Sequence, residues 1–177
     1  RSSDLAMLVF LMYSKTTWND YFTGNPASLI ELNQYGERQT PSDTSVHVSN
    51  CLFGSIMSTS DGSALFCSTS VTYLLVESSS FFSCKTSGSY GGAIYFSNAN
   101  NGQCVLYKVC GYDCCSTSTS SLSRQFAYIY VYNAASSKNY VNYSSFSRCI
   151  NKLSNSYYTL CHVYGKILCP SVNISMN

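Results

Sequence analysis

Side chains that could carry out acid–base chemistry are few and scattered in this chain of 177 residues. From residue 46 onward the only carboxylates are Asp61, Glu77 and Asp113. A site that cleaves acidic polysaccharides needs such groups to converge on one face, and these three fall at different positions of the repeat described below. His47 and His162 also differ in repeat position, and no serine lies in a G-x-S-x-G motif. The sequence therefore predicts no catalytic residue and no cofactor.

Ten cysteines are the second group with chemical potential. Thiols form disulfides, bind zinc, or pack as small apolar groups. No CxxC pair is matched by another at ligand spacing, so the sequence predicts no metal site. Cys84, Cys115 and Cys149 each follow an aromatic residue by three positions, and we expect them to form one column of buried, unbonded thiols. Loop cysteines such as Cys110 and Cys114 are the ones expected to oxidise where the compartment allows it.

A repeat positions these residues. Its anchors are aromatic residues three positions before a cysteine or an isoleucine: Phe53, Phe81, Tyr112 and Phe146. An apolar strand follows each anchor after 11 to 15 residues, and successive anchors are 28, 31 and 34 residues apart. The variable stretches are rich in Ser, Thr and Gly, as expected of surface loops, where added length costs little. Aromatic and β-branched residues broken by Asn, Gly and Ser indicate short strands.

Two or three short strands per repeat, stacked in register, predict a right-handed parallel β-helix of about four to five rungs. An antiparallel β-sandwich also has many short strands and turns, but it gives no reason for a motif to recur in register. Residues 1–45 are expected to form an N-terminal cap or degenerate rung, and residues 46–177 the β-helix repeats, as a fragment of a longer solenoid. Leu5–Tyr13 is apolar but shorter than a membrane span of about 20 residues, so we expect it to pack on the first rung.

The motif is complete once, where Phe81-Phe82-Ser83-Cys84 precedes Gly91-Gly92-Ala93-Ile94. This pair resembles the FxxN and GGAI repeats of chlamydial polymorphic outer membrane proteins. With cysteine in the fourth position and many Ser and Tyr residues, it is also similar to the β-helix surface proteins of trichomonad protists. The resemblance implies a pectin-lyase-like β-helix with a cell-surface or secreted, adhesin-type role. It implies no catalytic residues, because the shared motif is structural.

Two structural roles follow from the repeat. Phe81, Tyr112 and Phe146 share one repeat position, so we expect their rings to stack as one column inside the rungs or at their edge. Gly91 and Gly92 stand at the entry to a strand, where a left-handed backbone or a close approach of another chain segment requires glycine.

Composition favours binding over catalysis. Charged residues make up 10% of the chain and the net charge is +2, which favours neither nucleic acid nor an acidic partner. Tyrosines out of phase with the core, Tyr130, Tyr132 and Tyr143, are predicted to bind a host or matrix glycan or protein. A carbohydrate-active enzyme with catalytic residues elsewhere and a structural stalk are the alternatives. Asn142 and Asn173 begin N-glycosylation triplets, which suit an extracellular protein; membrane attachment would need an anchor outside this sequence.

Overall fold

The computed structural model describes residues 18–119, 123–150 and 158–175, so Leu5–Tyr13 lies outside the described residues. Every sheet it contains is parallel, and the sheets wind into a β-solenoid of about four turns. The predicted parallel β-helix is therefore confirmed.

Among the described residues, one short helix, α1 (Trp18–Tyr21), precedes the strands. Sheet 1 contains β1 (Ser28–Glu31), β3 (Ser45–Ser49), β7 (Tyr73–Glu77), β11 (Gln103–Tyr107), β15 (Lys138–Asn142) and β18 (Lys166–Leu168). Sheet 2 contains β2 (Gln34–Tyr35), β4 (Leu52–Gly54), β8 (Ser80–Phe82), β12 (Cys110–Tyr112), β16 (Ser145–Ser147) and β19 (Asn173–Ser175). Sheet 3 contains β5 (Met57–Ser58), β9 (Lys85–Thr86) and β13 (Cys115–Ser116). Sheet 4 contains β6 (Leu65–Cys67), β10 (Ile94–Ser97), β14 (Arg124–Tyr130) and β17 (Tyr158–Val163).

Each complete rung passes through sheets 1, 2, 3 and 4 in that order, and like positions stack from rung to rung. In sheet 1, Val46 aligns with Leu74, and Val48 with Val76, and all four side chains are fully buried. Alternate residues of a strand point to opposite faces, so every second position of each strand supplies this shared core. The first rung is short, since β1 and β2 pair with β3 and β4 and only Gln39 reaches sheet 4, through a bridge to Leu65.

Two corners of the rung are made by single residues with a left-handed backbone. The corner after sheet 1 has φ between 46° and 54° in six rungs, at Leu32, Asn50, Ser78, Lys108, Tyr143 and Ser171. The corner after sheet 2 has the same conformation in four rungs, at Ser55, Ser83, Asp113 and Arg148. Such a backbone costs a side-chain-bearing residue about 1–2 kcal/mol, so the stacked sheets must hold these corners in place.

The predicted aromatic column is wrong at its third member. Strand pairing aligns Gly111, rather than Tyr112, with Phe81 and Phe146. Tyr112 aligns with Phe82 and is 40% exposed on the outer face. The register was ambiguous because Cys114 and Cys115 are consecutive. Counting three positions from an aromatic residue selected Cys115, whereas the structure aligns the residue pair one position earlier.

The ring of Phe126 fills the room that Gly111 leaves. Phe126 occupies the position of Ala93, as the hydrogen bond from the Ala93 N–H to the Phe126 carbonyl indicates. Its ring centroid lies 5.8 Å from that of Phe81, edge-on, and 4.5 Å from that of Phe146. A Cβ on Gly111 would lie 2.5 Å from the Phe126 ring. In the preceding rung these two facing positions hold a large and a small residue, Phe81 and Ala93, whereas this rung has the small Gly111 and the large Phe126. The exchange preserves the packed volume.

The thiol column contains Cys114 where the sequence predicted Cys115. The backbone N–H of Cys84 donates to Sγ of Cys114 over 3.3 Å, whereas Cys115 pairs with Lys85 in sheet 3. Cys84, Cys115 and Cys149 are buried and form no disulfide with one another, but Cys115 lies beside the column. The prediction that Cys114 is a loop cysteine is wrong, because its thiol is fully buried in the core.

Gly91 and Gly92 have the predicted backbone roles. Gly91 has a left-handed φ of 64°, and a Cβ there would collide with the carbonyl of Ile94. At Gly92, a Cβ would collide with the backbone of Gln125 and Cys115. The pair therefore allows three chain segments to meet at the entry to β10.

Candidate functional site

The outer face of sheet 1 is covered by the segment that contains α1. Trp18 and Phe22 are almost completely buried, and they pack over the outward-pointing side chains of Leu75 and Val105. The Trp18 ring lies 5.7 Å from that of His47. We call this surface the covered face, since its apolar side chains are already in contact with the protein itself.

The three carboxylates of the repeats, Asp61, Glu77 and Asp113, each make a separate contact. Glu77 and His47 form a buried pair with 2.8 Å between Oε1 and Nε2. Asp61 accepts a hydrogen bond from the backbone N–H of Tyr90. Asp113 lies 3.0 Å from Lys85; partial burial opposes ionisation of this carboxyl, but hydrogen bonds from Lys85 and Ser83 outweigh it and lower the pKa of Asp113. These three carboxylates thus lie in three different environments and do not form a catalytic pair.

The outer face of sheet 4 carries an uninterrupted row of aromatic side chains, which we call the tyrosine ridge: Phe66, Tyr95, Tyr128, Tyr130 and Tyr164. Strand register stacks the first three of these residues on consecutive rungs. Their ring centroids are 4.9 Å and 5.5 Å apart, and the ridge continues to the last two members over 6.4 Å and 5.3 Å. All five are partly exposed. Unlike the covered face, this aromatic surface is accessible to a ligand.

The orientation of the rings determines which chemical groups the ridge exposes to a ligand. Phe66 and Tyr95 are nearly parallel, with 10° between their planes, and Tyr95 and Tyr128 differ by 23°. Stacked rings cover each other's faces, so the ridge presents ring edges and phenol hydroxyls to solvent. Burial raises the pKa of Tyr128 to about 12, so its hydroxyl remains a neutral donor and acceptor at physiological pH. The surface suits a ligand that is rich in hydroxyl or carbonyl groups.

Only one of the three predicted binding tyrosines belongs to the ridge. Tyr130 contacts Tyr128 and Tyr164. Tyr132 is exposed beyond the end of β14, and Tyr143 lies at the corner after sheet 1, with its ring against Tyr107. The structure therefore does not bring Tyr130, Tyr132 and Tyr143 together as one contact group.

The sequence prediction missed Phe66, Tyr95, Tyr128 and Tyr164. The signal was present in the alternate positions of the repeated apolar strands, where Phe66 and Tyr95 already align. The sequence comparison aligned Ala127 with Ala93, one residue away from the register of the structure, and this placed Tyr128 opposite Ile94 and hid the row. The strand pairing restores it, because Tyr95 aligns with Tyr128.

A groove of about 410 Å³ lies on the outer face of sheet 2, and we call it the sheet 2 groove. Its lining includes Leu52, Gly54, Phe82, Cys110 and Tyr112. Tyr112 covers one face of the Phe82 ring, at 5.4 Å and 3° between planes. Gly54 is the neighbour on the other side and has no side chain, so that face of Phe82 opens into the groove. The groove therefore offers an apolar stacking surface that the ridge lacks.

The two glycosylation candidates differ in access. Asn173 is exposed in β19. Asn142 is only 8% exposed, and its Nδ2 donates a hydrogen bond to the Tyr21 hydroxyl over 3.2 Å. A glycan on Nδ2 of Asn142 would displace this contact, so access to solvent favours Asn173 over Asn142 as an acceptor.

Comparison with known proteins gives no further assignment, since no family model, curated protein or solved structure matches this chain. Within the described part of the chain, no helix is long and apolar enough to cross a membrane. Likewise, no group of three or more His, Cys, Asp or Glu side chains among the described residues is arranged so that it could hold a metal ion.

Proposed function

We propose that this protein is a non-catalytic β-solenoid binding module of the cell surface or extracellular space. Its partner is a host or matrix glycan, or a protein, bound at the tyrosine ridge. The observation that carries this proposal is the part-exposed row of five aromatic side chains on sheet 4. On the outer face of sheet 1, by contrast, Leu75 and Val105 are fully buried beneath Trp18 and Phe22.

The chemistry of the ridge supports a neutral, hydroxyl-rich ligand. Its members contribute four phenol hydroxyls and no charge. Arg38 contacts its N-terminal end, with Cζ 4.4 Å from the Phe66 ring centroid. Rigid tyrosines bury apolar area on binding at a small cost in side-chain entropy. The resemblance to adhesin-type surface proteins agrees with this role.

The test is a binding screen against neutral glycans and extracellular-matrix proteins, run beside a cleavage assay on acidic polysaccharides. We expect binding without cleavage. The double variant Tyr128→Ala/Tyr130→Ala should weaken binding by about tenfold or more, because each aromatic contact contributes on the order of 1 kcal/mol.

Two further variants locate the site. Tyr143→Ala is the matched control, since this tyrosine is exposed but lies outside the ridge, and its binding should equal that of the wild type. Phe82→Ala removes the open ring of the sheet 2 groove. Loss of binding in Phe82→Ala alone would move the site to that groove, and polysaccharide cleavage by the wild type would overturn the non-catalytic proposal.

A further inference from the structure

Gly54 interrupts a column of side chains on the outer face of sheet 2. Strand register places Gly54, Phe82 and Tyr112 at the same position of consecutive rungs. The Phe82 and Tyr112 rings stack at 5.4 Å with 3° between their planes, so a further ring would fit this column at the same spacing. Gly54 supplies no such ring, and a Cβ at this position would meet no atom within 4 Å. One face of the Phe82 ring therefore stays open in the sheet 2 groove.

Neither the backbone nor the packing requires glycine at position 54. Its backbone is not left-handed, and open space surrounds its Cα. Gly36 is alike in both respects, and continuing the β2–β4 register by one residue places it beside Gly54. Every other glycine of the chain either has a left-handed backbone or would bring a Cβ within 3.0 Å of another atom. The two open glycines leave a notch next to the Phe82 ring, on the side of the solenoid rather than at an end.

The residues around this notch combine an apolar wall with a hydroxyl rim. Leu52 stands two residues before Gly54 on the same face of β4, and Ser80 stands in the same way before Phe82 on β8. Serine hydroxyls both donate and accept hydrogen bonds. None of the residues that line the groove is charged, and its volume of about 410 Å³ lies in the range of small-ligand sites. The lining therefore favours a neutral ligand that is apolar on one face and polar at its edge.

A pyranose ring has this combination of surfaces. Its C–H groups form an apolar face that can pack on the negative face of an aromatic ring, and its hydroxyls radiate from the ring edge. A purely aromatic ligand would use the Phe82 face but leave the hydroxyl of Ser80 unused. A charged ligand would find no opposite charge in the lining.

We propose that the sheet 2 groove is a binding site for one neutral pyranose ring, stacked on the open face of Phe82 in the notch that Gly54 leaves. The site is separate from the tyrosine ridge, which exposes ring edges over several rungs rather than one open ring face. It therefore goes beyond the proposed function and does not depend on it.

Saturation-transfer NMR with methyl β-glucopyranoside, methyl β-galactopyranoside and methyl α-mannopyranoside tests the site. At least one of these glycosides should bind, and the C–H protons of one ring face should receive the most saturation because that face lies on Phe82. Phe82→Leu keeps the apolar bulk but removes the ring face, so it should weaken binding about fivefold in a ligand titration. Phe82→Tyr keeps the ring face and should bind like the wild type.

Gly54→Phe fills the notch with a side chain of the protein itself. This variant should lose glycoside binding while its urea midpoint stays equal to or above that of the wild type, because the new ring stacks on Phe82 and the unfolded chain is less flexible. A loss of binding through misfolding would instead lower the midpoint. Tyr128→Ala/Tyr130→Ala is the matched control and should bind the glycosides like the wild type, so failure at the ridge and failure at the groove are distinguishable.

Three results would overturn the proposal. The first is that none of the three glycosides binds to the wild type. The second is that folded Gly54→Phe binds a glycoside as the wild type does. The third is that p-cresol binds at Phe82 more tightly than any of the glycosides, since the site would then select an aromatic ring.

Discussion

The outer faces of sheets 1 and 4 have similar rows of side chains but differ in how much of each row is exposed to solvent. Both carry apolar or aromatic side chains in register on consecutive rungs. On sheet 1, Leu75 and Val105 of this row are fully buried beneath Trp18 and Phe22, whereas on sheet 4 the row remains part-exposed as the tyrosine ridge. The exposed row consists mainly of tyrosine, whose hydroxyl tolerates water, while the covered row contains Leu75 and Val105. A solenoid repeat thus generates apolar rows on several faces, and the face left accessible indicates where binding occurs.

The largest expected effect is a difference in protein stability between variants of the covered face and variants of the tyrosine ridge. Trp18→Ala should lower the free energy of unfolding by about 3–5 kcal/mol, because it removes a large buried ring and leaves Leu75 and Val105 exposed. Tyr95→Ala, in the middle of the ridge, should cost only about 1–2 kcal/mol, since it loses two stacking contacts at a part-exposed site. Urea unfolding followed by circular dichroism measures both. Equal losses for the two variants would remove the distinction between a covered and an accessible face.

A second prediction concerns the core that supports the ridge and the sheet 2 groove together. Gly111→Phe should destabilise the protein by about 1–3 kcal/mol, because the new ring has no room beside Phe126. Adding Phe126→Ala restores the arrangement of the other rungs, so the double variant should be more stable than the sum of the single effects indicates. A double-mutant cycle in urea gives the coupling. Simple additivity would contradict the exchange of large and small residues that the packing shows.

The next prediction is that the stability of the protein depends on pH through His162, which lies in sheet 4 beneath the ridge. His162 lies in β17 with Nδ1 2.5 Å from Oδ1 of Asn139, and burial lowers the pKa of His162 to about 4. The unfolded chain binds this proton near pH 6.5, so stability is full above that pH and falls as the pH drops from about 6.5 to about 4. The loss should reach about 2–3 kcal/mol near pH 4.

His162→Gln is the control for this effect, and it should flatten that part of the pH profile in urea unfolding. A wild-type profile that is flat between pH 4 and pH 6.5, or one that His162→Gln leaves unchanged, would show that this imidazole is not held in its neutral form.

The sequence predicted the architecture well because the repeated glycine, alanine and aromatic positions have strict steric roles. Gly91 and Gly92 were identifiable since no other residue fits their backbone. The register at Gly111 was not, because packing requires only that the facing pair supply one large and one small side chain. The left-handed corners gave no signal either: residues as different as Leu32, Lys108 and Tyr143 adopt one conformation that stacking enforces.

The ridge was missed because the sequence comparison aligned Ala127 with Ala93 instead of Ile94, and its accessibility could not be predicted in any case. Whether a row of outward side chains is covered depends on where a distant segment packs, as Trp18 and Phe22 do on sheet 1. Tyr130 was identified as a surface residue, but its neighbours in the row could be found only from the strand pairing.

Ligand-dependent protection of tyrosine side chains tests the central claim most directly. The protein is treated with hydroxyl radicals with and without the partner found in the screen, and each tyrosine is followed by mass spectrometry. We predict that Tyr95, Tyr130 and Tyr164 become protected, while Tyr143 reacts equally in both states. Protection confined to Tyr143, or to Phe82 and Tyr112 of the sheet 2 groove, with the ridge unchanged, would contradict the tyrosine ridge as the binding face.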